Sequence, residues 1–166
     1  MPEKKTLERA KEDAREGKAP STQAGEFVRE EMEHVREGKH GARSAKQAIA
    51  IGLSKARRAG VKLPPPQKGK ASERARAQAE RNYAQGQTSP GRATSPTRSR
   101  AIKTALQREG TKAASHIALS RQAHASARSR GAASRSRAAQ KAVRTKGKAG
   151  LRSAAEKAAR TRERER

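Results

Sequence analysis

The sequence predicts a mainly α-helical protein: a small N-terminal three-helix unit followed by a largely disordered basic tail with transient helices. Large apolar side chains at helical spacing are concentrated before residue 64, where Leu63 is followed by three prolines that cannot continue a helix. Beyond them the chain has high charge and few large hydrophobes, which is typical of disorder. We therefore expect a helical head domain at 1–63, a Pro/Ser/Arg linker at 64–100 and an Ala/Arg/Lys-rich tail at 101–166.

The first two helices are predicted from apolar periodicity and from glycine stops. Residues 3–16 form the first, which ends at Gly17, and a second begins at Ser21 or Thr22 as N-cap and ends at Gly38. One sector of this second helix is apolar and contains Ala24, Phe27, Val28, Met32 and Val35. The far side carries a glutamate stripe made of Glu26, Glu30, Glu33 and Glu37.

The third helix has the clearest boundaries. Ser44 is a natural N-cap, and Gly60 followed by Val61 predicts a Schellman stop. The apolar sector consists of Ala45, Ala48, Ile49, Gly52, Leu53, Ala56 and Ala59. We expect the opposite, basic face to be free to meet phosphate, and it carries Arg43, Lys46, Arg57 and Arg58.

The linker and the tail contain weaker signals. Residues 71–84 have the composition of a short, loose helix, and Ser-Pro-x-Arg occurs at 89–92 and again at 95–98, where each copy predicts a turn that projects an arginine. Residues 51–55 (IGLSK) are echoed by residues 117–121 (IALSR). If this repeat is real, residues 101–126 hold a degraded copy of the helical pair.

Charge is divided unevenly along the chain. Residues 1–37 carry 8 Lys and Arg against 10 Asp and Glu, whereas residues 38–166 carry 33 against 6, which gives the net charge of +25. A near-neutral head on a long polycation is typical of a protein that binds a polyanion, most often nucleic acid.

Several function classes find no support in the sequence. It contains no cysteine, no P-loop, and no histidine pair at the HExxH or i, i+4 spacing of a metal site, so we expect no enzyme, no cofactor and no metal. There is no secretory signal and no apolar run near the ~20 residues of a membrane-spanning helix. We expect a soluble, cytoplasmic, nucleoid-associated protein that makes no membrane contact.

We expect sequence-tolerant binding to DNA through phosphate neutralisation, in the manner of histone H1. The basic residues assigned to this contact lie on the third helix, in the Ser-Pro-x-Arg segment and in the tail. They are Lys39, Arg43, Lys46, Arg57, Arg58, Lys62, Arg92, Arg98, Arg100, Arg128, Arg130, Arg135 and Arg137.

Two alternatives remain open at this stage. One is a ribosome-associated RNA-binding protein, although the only aromatics, Phe27 and Tyr83, offer little for base stacking. The other is a protein-interaction adaptor that works through helices within residues 22–60. Self-association through the helical head is compatible with either function.

Two parts of the chain show resemblances. Residues 1–66, with the distinctive stretches Gly38–Gly41 and Ser44–Ile49, resemble an uncharacterised family of small basic bacterial proteins. This resemblance implies a bacterial or phage source and no activity. The Ser-Pro-x-Arg turns and the Ala/Lys/Arg-rich tail are similar in composition to linker-histone tails, although arginine and serine here exceed lysine and proline.

Overall fold

The computed structural model describes residues 2–92 and 95–164, which form seven α-helices and a 3₁₀ turn at Lys112–Ala114. The helices are α1 (Lys4–Arg15), α2 (Pro20–Arg36), α3 (Ala45–Arg58), α4 (Glu73–Thr88), α5 (Pro96–Gln107), α6 (His116–Ser129) and α7 (Gly131–Arg164). The chain divides into two compact units, residues 1–120 and 121–166, and the boundary between them falls within α6.

The first three helices lie where the sequence places them. α3 begins at Ser44, whose hydroxyl accepts the Gln47 N–H, and it ends in the predicted Schellman motif, in which the Val61 N–H donates to the Ala56 carbonyl. The start of α2 differs from the prediction. Neither Ser21 nor Thr22 caps it, because Pro20 already occupies the first helical position, which its fixed φ and missing N–H suit.

One core cluster lies where α1, α2 and α3 meet. It consists of the buried side chains Ala10, Ala24, Phe27, Ala56 and Val61. α2 and α3 approach each other closely at Gly52, where an added Cβ would lie 2.7 Å from the Val28 Cα. The apolar sectors predicted for α2 and α3 therefore face each other in the core.

A second core cluster overturns the prediction of a disordered tail. Ala113 and Ala114 are buried against Met32, Val35, Ala42 and Ala48 from the head, and Leu119 packs against the same cluster. Backbone hydrogen bonds hold the segment in place, because Gly41 and Ala42 donate to the carbonyls of Leu106 and Gly110. We call residues 106–119 the docked segment; it belongs to the first unit.

Part of the linker, within residues 64–92, also packs against the head. α4 lies against α3, is longer than the short helix predicted at 71–84, and is capped by Ser72, whose hydroxyl accepts the Ala75 N–H. The proline segment is tied back to α3, since Arg57 donates to the carbonyls of Leu63 and Pro64. The helical core therefore does not end at the prolines.

The second unit is helical too, which corrects the expectation of transient helices there. α7 runs from Gly131 to Arg164 with one non-helical residue, Gly147, at a kink, and it contains no buried residue. Alanine and arginine are strong helix formers, and their intrinsic propensity outweighs the repulsion among like charges that favoured disorder in the sequence interpretation. The last two residues of the predicted tail, 165 and 166, lie outside the described residues.

Candidate nucleic-acid interface

Three of the predicted contact residues around α3 are exposed. Arg43 precedes its N-cap, Lys46 lies in its first turn, and Lys62 follows its C-terminal Schellman motif. The turn before α3 is well fixed, because the Gln47 side chain accepts the Arg43 N–H at 2.8 Å while its own N–H binds Ser44. These cations are held on an ordered surface and are available to a phosphate.

Arg57 was assigned to the same exposed face, and this is wrong. Its residue surface is only 7% exposed, because α4 and the chain after α3 cover that side of the helix. Its guanidinium donates to the carbonyls of Leu63 and Pro64 at 3.2 and 3.1 Å, and burial lowers its pKa. Arg57 therefore stabilises the fold.

Arg58 is half-buried and points partly along its own helix. Its Nε donates to the Ser54 carbonyl at 3.3 Å, and burial lowers its pKa as well. The predicted basic face of α3 is thus reduced to Arg43, Lys46 and a partly covered Arg58.

Lys39 is exposed but already paired. Its ammonium lies 2.9 Å from a Glu37 carboxylate oxygen and 3.3 Å from one of Glu3. Hydrogen bonds to Glu37 and then Glu3 raise the Lys39 pKa, so the charge persists, but two carboxylates neutralise it locally. The positive charge of Lys39 is therefore less available to a further partner than its exposure suggests.

The two Ser-Pro-x-Arg sequences adopt different structures. At 89–92 the Arg92 N–H donates to the Ser89 carbonyl, which is the predicted turn. At 95–98 the proline instead occupies the start of α5, which places Arg98 and Arg100 in the first helical turns. All three arginines are exposed, but only one of them follows a turn.

The remaining predicted residues lie at exposed positions of α6, α7 and the junction between them. They are Arg128, Arg130, Arg135 and Arg137. Arg135 donates to the Ala127 carbonyl at 3.1 Å, which fixes the start of α7 relative to the end of α6. The other three have no carboxylate within 4.0 Å among the described residues.

The sequence interpretation missed a buried ionic network in the head. Lys55 lies 3.3 Å from an oxygen of Glu30 and 2.6 Å from one of Glu31, and both glutamates are buried. The glutamate stripe on the far side of α2 is therefore interrupted, since Glu30 points inward. A charged pair at consecutive positions has no periodic signature, so only the packing of α3 against α2 reveals the network.

Near this network, the structure brings together residues that the sequence gave no reason to combine. Glu31 and His34 lie one turn apart on α2, and His40 returns to them after the helix ends. The signal that could have found them is Glu-x-x-His followed by a second histidine just beyond a glycine stop, a spacing that differs from both HExxH and i, i+4.

Among the described ranges 2–92 and 95–164, no helix is both long enough and apolar enough to cross a bilayer. Residues 20–68 match a family of unknown function (DUF6496). The match covers less than half of the chain and agrees with the resemblance of this region to an uncharacterised family. Comparison with curated proteins and with solved structures finds no match.

Proposed function

We propose that this protein binds duplex DNA with little sequence preference and acts as a non-enzymatic, nucleoid-associated protein. The proposal rests on the charges of the second unit. Between residues 121 and 164 there are fourteen Lys and Arg side chains, and among the described residues of this unit only Arg152 has a carboxylate partner, Glu156 at 3.3 Å. Cations without local partners are available for phosphate.

The first unit differs in how its charges are used. It carries 26 Lys and Arg against 13 Asp and Glu, a net of +13 over 120 residues, and most of its carboxylates form ion pairs within the unit. The second unit carries 15 against 3, a net of +12 over only 46 residues. The higher charge density makes the second unit the main electrostatic contact and the first unit a folded platform.

The chemistry of these side chains favours backbone contact over base readout. Arginine pairs bidentately with phosphate, whereas a protein recognises a DNA sequence through a defined set of side chains that enter a groove and contact the bases. The helices of the second unit show no apolar or amide-rich face of that kind, because their exposed positions are mainly Ala, Ser, Lys and Arg. Affinity should therefore depend steeply on salt and weakly on sequence.

The test compares two variants with the same change in net charge. The first replaces Arg128, Arg130, Arg135 and Arg137 with glutamine, which keeps a similar helix propensity. Its control replaces four cations that already have carboxylate partners: Arg9, Lys18, Arg29 and Arg76. Gel-shift titrations over salt should show a slope reduced by about 3.6 for the first variant, or 0.9 per lost phosphate contact, and by much less for the control. Equal slopes for both variants would mean that only net charge matters and that the second unit is no dedicated contact.

The same titrations separate the alternatives. Tighter binding to structured ribosomal RNA than to duplex DNA at matched salt would favour the RNA-binding function. An adaptor that works through helices within residues 22–60 would need an exposed apolar face there, whereas Ala24, Phe27, Met32 and Val35 on the apolar side of α2 are buried in the core. The large apolar side chains left exposed are Ile102, Ile117 and Val143, at 60%, 63% and 50% exposure.

A further inference from the structure

Glu31, His34 and His40 converge at the C-terminal end of α2. One carboxylate oxygen and one ring nitrogen from each histidine lie within 4.8 Å of one another. Glu31 and His34 share a face of α2, and the Schellman turn at Gly38 reverses the chain so that His40 returns to that face. The backbone fixes the position of all three residues.

Glu31 is the least satisfied polar group in this part of the chain. The residue is completely buried, and neither carboxylate oxygen has a hydrogen-bond partner. Lys55 Nζ forms an ion pair with one oxygen at 2.6 Å, and His40 Nε2 lies 3.2 Å from the other. Leaving a buried carboxylate in this state is costly, so a further positive partner would stabilise it.

The His40 ring is oriented as a metal ligand would be. Its Nδ1 lies 3.0 Å from the Gly41 carbonyl oxygen, and since a carbonyl only accepts, Nδ1 carries the proton. In the neutral ring Nε2 then presents a lone pair to the Glu31 oxygen 3.2 Å away. Two facing lone pairs repel each other unless a cation lies between them. A backbone carbonyl that holds the other ring nitrogen is the usual outer partner of a metal-bound histidine.

His34 has an outer partner as well. Its Nε2 lies 2.8 Å from a Glu3 carboxylate oxygen. A neutral His34 that donates from Nε2 to this carboxylate keeps Nδ1 unprotonated and able to bind a metal. Carboxylate–histidine pairs of this kind orient the ring and raise its basicity toward a bound ion.

The charged groups connected to this cluster are not balanced, because carboxylates outnumber ammonium groups by two. The connected network contains four carboxylates, from Glu3, Glu30, Glu31 and Glu37, and two ammonium groups, from Lys39 and Lys55. With both histidines neutral its net charge is −2. One divalent cation would neutralise the network.

We propose that Glu31, His34 and His40 bind a divalent transition-metal ion of the Zn²⁺ class. Two imidazoles and one carboxylate suit zinc and its neighbours and do not suit Mg²⁺ or Ca²⁺, which take oxygen ligands. Zinc holds its nitrogen and oxygen ligands at about 2.0–2.2 Å, so the three side chains close around the ion by side-chain rotation. The ion links α2 to the turn before α3 and stabilises the first unit.

Two protonated histidines would supply the same two charges, and this is the competing explanation. The test uses the full chain, without a histidine tag and stripped of metal. His116 and His124 serve as internal controls, because both are exposed and lie outside the network. Imidazole ¹H–¹⁵N spectra at pH 7.5 are recorded before and after one equivalent of Zn²⁺, and calorimetry gives the stoichiometry.

We expect one bound Zn²⁺ per chain, a rise in the midpoint of thermal unfolding, and shifts of the His34 and His40 resonances only. The His34→Ala/His40→Ala variant should lose the binding, and the matched His116→Ala/His124→Ala variant should keep it. Glu3→Gln should weaken binding by about tenfold, as loss of an outer partner does. The wild-type spectra decide the question even if the first variant does not fold. The proposal is overturned if Zn²⁺ shifts the resonances of all four histidines alike or shifts none of them. It is also overturned if the spectra show His34 and His40 as imidazolium and Zn²⁺ leaves those spectra unchanged.

Discussion

At the scale of single residues, the side chain of Arg57 differs most from what its position on a helical wheel implies. It shares a sector with Lys46, yet Lys46 is exposed while Arg57 is buried and binds the two carbonyls that follow α3. The wheel describes one isolated helix. Burial also depends on what packs against it.

We predict that Arg57→Gln lowers the free energy of unfolding by about 1–3 kcal/mol, because two carbonyls lose a charged donor. Lys46→Gln, the matched control on the same helix, should stay within about 0.5 kcal/mol of the wild type. Urea denaturation measures both. An Arg57 variant as stable as the control would mean that the two hydrogen bonds contribute nothing net.

Lys18 supports a prediction about pH. Its ammonium binds Asp13 at 2.7 Å and Glu16 at 2.6 Å, and these hydrogen bonds, that to Asp13 first, raise its pKa above the ordinary 10.5. A raised pKa contributes stability below pH 10.5, which is lost as the pH rises toward the folded-state value. The thermal midpoints of wild type and Lys18→Gln should therefore differ by a constant amount up to about pH 10 and converge above it. Lys11→Gln is the control, at an exposed position of α1 with no carboxylate within 4.0 Å among the described residues, and its midpoint should stay close to that of the wild type at every pH.

At the scale of elements, the packing of α4 on α3 depends on a helical glycine. Gly86 is buried, and a Cβ at that position would overlap the Arg57 carbonyl. The sequence signalled α4 only as a loose helix, because an Ala/Arg/Gln-rich stretch shows no strong apolar stripe. The docked segment has the same character, since its buried residues are mainly alanines.

We predict that Gly86→Ala destabilises the protein by about 1–3 kcal/mol through overpacking. Gly25→Ala is the control, because Gly25 is also helical but has nothing within 4 Å of an added Cβ. Alanine there should stabilise by about 0.5–1 kcal/mol, through its helix propensity and a less flexible unfolded chain. If Gly86→Ala were also stabilising, the contact between α3 and α4 would be looser than the structure shows.

At the scale of the whole molecule, folding and charge are separated along the chain. Every buried residue among those described precedes residue 115, whereas the densest positive charge follows residue 120. The core therefore should not need the second unit, and the second unit should supply most of the electrostatic affinity.

A chain that ends at Ser129 tests this separation, since it keeps α6 whole and carries 28 Lys and Arg against 13 Asp and Glu, a net of +15. We predict an unchanged thermal midpoint for this chain, together with a large loss of affinity for duplex DNA and a flatter salt slope. Thermal unfolding and gel shifts measure the two properties independently. Near-full affinity with the original slope would place the DNA contact in the first unit.

The sequence by itself determined α1, α2 and α3, most of their boundaries, their apolar sectors and the uneven division of charge. These features are local: apolar periodicity, a serine N-cap and glycine stops act within a few residues of the chain. Only the tertiary structure decided that Arg57 and Glu30 point inward, that Ala113 and Ala114 complete the core, and that His40 meets Glu31 and His34. The physical reason is that burial of a small or charged side chain depends on the neighbour that covers it. Arg36, for example, donates a hydrogen bond to the carbonyl of Ala114, which lies 78 residues further along the chain. A contact between residues so far apart leaves no pattern in the local sequence of either one.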